Sequence, residues 1–331
     1  MELIHKLLNL VLPPITVFAI CLMLPFLSIF KVVNFIFRCL FSKNIKGKIV
    51  LITDSSSGIG KHLAYDYARK GANLALVDIR EDKLRDVVEK AGQLGSPNVL
   101  VICADVSKVD QCKQFIDEVV DELVDHLICN AGMGINCAFE DATNVTNFVQ
   151  VMDVNFSESV YPTYFAIPHL KRSRGKIFVT TSVSGWMFQP MGSIYGASKA
   201  ALINFYDNMR VELTPKVSVK IISPGFVESE LLKRQSFKQA RRFLNLQYVL
   251  FLPKCSIGTK SCDITVEQMM QRIPFEKTKD YTKAVVAAVC RGDKYITEPW
   301  WYNSFYLLKI VCPEVIEWSS YLKFSNRPTT S

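Results

Sequence analysis

Between residues 49 and 223, short and almost unbroken apolar runs alternate with longer stretches in which apolar residues recur every three or four positions. A strand with one wet face would alternate apolar and polar residues, whereas a run such as Ile-Val-Leu-Ile-Thr at 49–53 suits a strand covered on both faces. The pattern predicts strands at 49–53, 74–79, 99–106, 126–130, 176–182 and 217–223, with helices at 58–70, 81–92, 108–123, 147–170 and 195–213. The fold class is therefore α/β, a doubly wound parallel sheet. At 331 residues, 21% of them charged, the chain accommodates one such domain with extra segments and has no disordered bulk.

The N-terminus differs in kind. Leu7 to Phe30 is a stretch of 24 residues without a charge, long enough to cross a hydrocarbon core of about 30 Å. It is too long for a cleaved leader, and no small-x-small site follows it. Glu2 and Lys6 precede the run, and Lys31, Arg38, Lys43, Lys46 and Lys48 follow it, which favours a cytosolic domain downstream. Pro13, Pro14 and Pro25 leave two readings open: a wedge entering and leaving one face of a lipid monolayer, or a single kinked transmembrane helix. The expected organisation is an anchor at 1–43, a catalytic domain at 44–298 with a substrate flap at 226–293, and an aromatic tail at 299–331. The tail, with Trp300, Trp301, Tyr302, Phe305, Tyr306, Trp318 and Tyr321, suits either a packed or oligomeric surface or an interfacial membrane contact.

The net charge of +8 is spread along the chain, apart from a cluster at Lys233, Arg234, Lys238, Arg241 and Arg242. No nucleic-acid-binding motif accompanies that cluster, so a solvated helix face or contact with anionic lipid is the expectation, and no nucleic acid is expected as a partner. The ten cysteines lack Cys-x-x-Cys spacing and several lie inside apolar runs, as buried thiols in a reducing compartment do; no metal site is expected.

After the first strand, Gly58-Ile59-Gly60 opens a helix whose free N–H groups and positive dipole end suit a pyrophosphate. Ser55, Ser56 and Ser57 are small enough to let the backbone approach it. Asp78, 18 residues beyond Gly60, is spaced to accept hydrogen bonds from an adenosine ribose and to oppose a 2′-phosphate, which favours NAD over NADP. Arg80 can offset part of that repulsion, and a helix cap is the alternative use of Asp78. Further on, Tyr195 and Lys199 lie four apart on a predicted helix, so both project from one face. An ammonium held near a phenol favours the phenolate and makes proton transfer feasible near neutrality.

Taken in order, Thr53-Asp54-Ser55-Ser56-Ser57-Gly58-Ile59-Gly60, Ala104-Asp105-Val106, Asn130-Ala131-Gly132, Asn155, Ser182, Tyr195-x-x-x-Lys199 and Pro224-Gly225 resemble the short-chain dehydrogenase/reductase family. The Leu-x-x-Pro-Pro segment near the N-terminus and Arg291-Gly-Asp-Lys-Tyr-Ile-Thr-Glu-Pro299 are similar to its plant steroleosins, hydroxysteroid dehydrogenase-like proteins of oil bodies. The resemblance implies a nicotinamide cofactor, NAD or NADP, held by Thr53, Ser55, Ser57, Gly58, Ile59, Gly60, Asp78, Asp105, Val106, Asn130, Ala131, Gly132, Tyr195, Lys199, Pro224 and Gly225. It implies that Ser182 binds the substrate oxygen, Tyr195 moves the proton, Lys199 lowers the tyrosine pKa and binds the nicotinamide ribose, and Asn155 holds a relay water. Hydride transfer then belongs to the cofactor.

The expected activity is interconversion of a secondary alcohol and a ketone on a hydrophobic, sterol-like small molecule, by a homo-oligomer on a lipid droplet or endoplasmic reticulum membrane and facing the cytosol. Asp54 departs from the family, standing where its first glycine would be and adding a negative charge beside the nucleotide. That departure motivates the alternative, a non-catalytic lipid-droplet coat or sterol-binding protein with a weakened cofactor site.

Overall fold

The computed structural model describes residues 1–119, 124–134, 139, 146–228 and 275–325. The basic cluster at 233–242 and most of the expected flap lie outside them. The chain divides into two compact units, Met1–Asn44 with Val289–Gly292, and Ile45–Ala288 with Asp293–Ser331.

In the first unit, helix α1 (Glu2–Leu40) runs without a break through Pro13, Pro14 and Pro25. Its mean hydropathy reaches 2.4 and none of its residues is buried, so by length and composition it can cross a membrane. A wedge that re-enters one face needs a turn near those prolines. The helix has none.

The second unit is built on a sheet of seven parallel strands in the order β3-β2-β1-β4-β5-β6-β9. These are β1 (Ile49–Thr53), β2 (Asn73–Asp78), β3 (Val99–Cys103), β4 (His126–Cys129), β5 (Lys176–Thr180), β6 (Ser218–Pro224) and β9 (Tyr295–Glu298), while β7 (Val227–Glu228) and β8 (Glu276–Lys277) form a separate pair. The order reverses between β1 and β4, and a doubly wound sheet binds its ligand outside the carboxyl ends of the strands at such a point. Thr53, Asp78 and Cys129 mark those ends on β1, β2 and β4. Leu51, Val77, Leu127, Val179 and Ile221, each at most 1% exposed, fix one face of the sheet in a core with the helical residues Phe115, Ile116, Ala166, Leu170, Leu202 and Tyr206.

Helices α2 (Gly58–Ala68), α3 (Glu81–Gln93), α4 (Val109–Val119) and α7 (Ser193–Leu213) lie where the periodicity puts them. The expected single helix at 147–170 is instead α5 (Asn147–Met152), a π-helical turn at Asp153–Ser157, and α6 (Glu158–Ser173). The wide turn falls on Asn155, and such turns interrupt the i to i+4 ladder without breaking the apolar periodicity that sequence reading follows.

One expectation needs correction beyond the motifs. The end of the stretch read as an irregular flap is a regular helix, α8 (Thr278–Arg291), with Tyr281, Val285 and Val286 at most 1% exposed. Its lysines and aspartate mask an apolar face at helical spacing, and Thr282 Oγ1 donates to the buried Asp66 Oδ2 at 2.7 Å. The described chain past 299 belongs to the same compact unit as the sheet. Strand β9 completes the sheet beside β6, and the first residue of α9 (Tyr302–Val311) is buried, followed by α10 (Pro313–Ser325).

Candidate active site

Asn130 ties together the carboxyl ends of three strands. Its backbone N–H donates to Thr53 Oγ1 at 3.0 Å, its Nδ2 to the Asp54 carbonyl at 3.4 Å, and its Oδ1 accepts from Thr180 Oγ1 at 3.4 Å. Ala131 N–H shares Thr53 Oγ1 at 3.4 Å. Next in the chain, Gly132 packs so tightly that an added Cβ would lie 3.1 Å from Lys199 Nζ and 3.2 Å from Asn155 Oδ1.

Asn155, fully buried, spends its side chain on position. Oδ1 accepts from Met133 N–H at 2.7 Å, and Nδ2 donates to the Met133 carbonyl at 2.9 Å and to Ser198 Oγ at 2.9 Å. Ser198 Oγ in turn donates to the Tyr195 carbonyl at 2.7 Å, so the wide turn, the loop after β4 and helix α7 are locked together. Lys199, 3% exposed, donates from Nζ to the Thr180 carbonyl at 3.2 Å.

Ser182 caps the 3₁₀ turn Val183–Gly185 by accepting from Ser184 N–H at 3.2 Å, and its hydroxyl lies 2.6 Å from Ser184 Oγ. Burial pushes the Tyr195 phenol above its ordinary value, and a hydrogen bond with Ser182 works against that. Burial also brings the Lys199 ammonium down to about 8, against the upward pull of Glu158. The two side chains do meet on one face of α7, with Nζ 5.9 Å from the centre of the tyrosine ring. The expected lowering of the phenol is nevertheless absent in the protein alone, because desolvation penalises the phenolate and the ammonium together.

At the other end of the cleft, burial raises the Asp78 carboxyl, but the Arg80 guanidinium and the N–H groups of Arg80 and Ser56 outweigh it and hold it below the usual range. Asp78 accepts from Ser56 N–H at 3.0 Å, Arg80 N–H at 2.9 Å and Arg80 Nε at 3.0 Å. Arg80 Nη2 reaches Ser57 Oγ at 2.9 Å and Asp54 Oδ1 at 3.1 Å.

The sequence profile of the short chain dehydrogenases matches residues 48–240. The chain belongs to the short-chain dehydrogenase family. It is 38% identical over 333 residues to an 11-beta-hydroxysteroid dehydrogenase of Pinus massoniana, covering 100% of this chain and 89% of that one. It is 41% identical over 326 residues to 11-beta-hydroxysteroid dehydrogenase 1A of Arabidopsis thaliana, covering 98% and 89%. Among solved structures, a short-chain dehydrogenase/reductase from Burkholderia phymatum in complex with NAD shares the fold, with a TM-score of 0.69 at 23% identity over 82% of this chain and 96% of that one. The protein is thus an oxidoreductase.

Several residues of this short-chain dehydrogenase fit a bound dinucleotide. Ser57 precedes α2 without a side-chain cap, so the first N–H groups of the helix point into the cleft. Gly58 adopts φ +51°, and a Cβ on Gly60 would lie 2.1 Å from the Asp54 carbonyl oxygen, so no side chain can occupy that cradle. Asp105 and Val106 follow β3 at the same end, with Asp105 Oδ1 held by Ser107 N–H at 2.9 Å. Pro224 ends β6, and Gly225 N–H donates to the Glu298 carbonyl at 2.8 Å.

Ser55 is the exception among the expected contacts, since its buried hydroxyl donates to the Val77 carbonyl at 3.1 Å and fastens the turn to β2. Sequence reasoning missed Ser184, Ser198, Glu158 and Tyr302. Ser198 carried a signal, three residues after Tyr195 on the same helix. Ser184 also carried one, two residues after Ser182, whereas Glu158 and Tyr302 depend on contacts that no local pattern encodes.

Proposed function

We propose that this short-chain dehydrogenase interconverts a secondary alcohol and its ketone on a hydrophobic, sterol-like substrate at a lipid surface, with NAD preferred to NADP. The observation that carries the reading is the convergence of Ser182, Tyr195 and a buried Lys199 beside an uncapped helix N-terminus. When bound, the nicotinamide supplies the hydride acceptor or donor. In the oxidation direction, Ser182 Oγ would hold the substrate oxygen, and Tyr195 Oη, once its own proton has passed to the neutral amine form of Lys199, would take the hydroxyl proton, the nicotinamide when bound accepting the hydride. Lys199, now an ammonium, keeps the proton it received with the Thr180 carbonyl as acceptor. Both amide protons of Asn155 are committed to Met133 and Ser198, so a relay water between Lys199 and solvent would be held by a main-chain carbonyl of the wide turn.

A hydrophobic substrate is supported by the aromatic surface beside Ser182. Trp186 packs edge-on against Tyr306 at 5.2 Å between ring centres, and Lys309 Nζ lies 4.9 Å from the Phe188 ring while donating to the Trp186 carbonyl. The plant relatives are named for hydroxysteroids, and helix α1 suits a protein that collects a poorly soluble substrate from lipid, in a droplet or the endoplasmic reticulum. The catalytic domain would face the cytosol, and we expect a homo-oligomer. The non-catalytic alternative is weakened, because the Asp54 carboxylate pairs with Arg80, which it shares with Asp78, and does not stand alone beside the nucleotide.

The test is turnover of the full-length protein in detergent with NAD and a panel of hydroxysteroids, retinol and a long-chain secondary alcohol, following reduced cofactor. Steroid-dependent turnover abolished in Tyr195→Phe supports the proposal. Saturable cofactor and steroid binding without turnover of any alcohol would give the binding-protein reading instead.

A further inference from the structure

Two carboxylates face one guanidinium at the adenosine end of the cleft. Arg80 donates to Asp78 through its backbone N–H and Nε, while Nη2 is shared among Asp78 Oδ2 at 3.3 Å, Asp54 Oδ1 at 3.1 Å and Ser57 Oγ at 2.9 Å. The guanidinium is drawn toward the phosphate turn, with its side chain 21% exposed against 38% for Asp54 and 2% for Asp78. Asp54 sits at φ +49°, in the left-handed region that aspartate and asparagine tolerate better than other side chains. Its carboxylate is therefore aimed at Arg80 while its carbonyl oxygen fills the cradle left by Gly60.

We propose that Asp54 is a second cofactor-selecting carboxylate acting through Arg80: with Asp78 it holds the guanidinium inward and keeps the cluster's charge negative, which turns away a 2′-phosphate. The inference rests on the dinucleotide reading above and adds a selecting residue outside β2. A ribose hydroxyl can share Asp78 with this cluster, whereas a phosphate dianion needs the guanidinium turned outward and meets an unbalanced carboxylate. Asp54 is thus a positioning residue. The diphosphate common to both cofactors would be held at the N-terminus of α2 in either case, so its share of the Asp54 charge cancels from the ratio of the two affinities.

The experiment measures dissociation constants of NADH and NADPH by nicotinamide fluorescence, with the full-length protein in detergent. Wild type is compared with Asp54→Asn and Asp54→Asn/Arg80→Gln, each checked by thermal melting. Asparagine suits the same backbone conformation, so the variant is expected to fold. One unit charge removed about 6 Å from a phosphate, at an effective dielectric constant of about 40, corresponds to about tenfold in affinity. Asp54→Asn should therefore shift the NADPH/NADH affinity ratio about tenfold toward NADPH, chiefly by tightening NADPH, and the double variant should lose the gain. Equal tightening of both cofactors, or an unchanged ratio, overturns the inference while leaving the dinucleotide reading intact. If wild type binds neither cofactor, both fall.

Discussion

Replacing Asn155 by alanine removes the link between the loop after β4 and helix α7. Three hydrogen bonds disappear, at 2.7 Å from Met133 N–H, 2.9 Å to the Met133 carbonyl and 2.9 Å to Ser198 Oγ. Ser198 keeps its bond to the Tyr195 carbonyl, so the groups left wanting are the two main-chain atoms of Met133. At about 1 kcal/mol net per bond, and up to about 3 kcal/mol for a buried donor left alone, a fully dry site would lose about 4–5 kcal/mol. Met133 is only half-buried and water can reach part of it, which brings the expected loss to about 2–3 kcal/mol. Urea unfolding of the full-length protein in detergent measures it, with the slope of stability against denaturant expected to stay unchanged. Because Gly132 lies against Lys199 Nζ, turnover should also fall by more than about a hundredfold in the fraction that remains folded. A loss below about 1 kcal/mol, or normal turnover, would refute the assignment of Asn155 as the clamp.

Tyr195→Phe should lower kcat by about a thousandfold while leaving NADH affinity within threefold, which separates proton transfer from binding. Gly225→Ala puts a Cβ 2.1 Å from Tyr302 Cε2 and should cost about 1–3 kcal/mol by denaturant titration, less in a Tyr302→Leu background; additivity of the two changes would contradict the contact. Burial, then Asp54 and Asp105, raise the Glu158 carboxyl to about 8 from 4.5, so the folded protein binds the extra proton in that interval and this group's contribution to stability falls as pH rises through it. Glu158→Gln should therefore be more stable than wild type at pH 8.5 by about 2 kcal/mol, with the gain vanishing near pH 4.5, and a gain independent of pH would count against the carboxyl's burial.

Local chemistry made much of this site legible. The apolar strands at 49–53 and 126–130 announced a covered parallel sheet, Gly58 and Gly60 marked the turn that opens α2, and the Tyr195–Lys199 spacing placed both on one helix face. The parts that escaped depend on distance in space. Arg80 meets Asp54 across 26 residues of chain and Ser57 across 23, so the fate of the Asp54 charge could not be read from the motif. Lys199 was expected to lower the Tyr195 phenol, yet burial dominates both groups, raising the phenol and lowering the ammonium. Strand β9 is four residues beside a proline in an aromatic stretch, and its pairing with β6 has no signature of its own. The wide turn at Asn155 keeps the helical apolar pattern, so periodicity read straight through it.

The central claim is that Tyr195 and its neighbours move the hydroxyl proton while hydride passes from the alcohol carbon to the nicotinamide, and isotope transfer tests it most directly. The full-length protein would be incubated with NAD and hydroxysteroids bearing deuterium on the carbinol carbon, and the reduced cofactor examined by mass spectrometry. The account predicts one deuterium on the nicotinamide ring, a slower rate than with the unlabelled steroid, and no label with Tyr195→Phe. Reduced cofactor without deuterium, or equal labelling by the Tyr195→Phe variant, would contradict it.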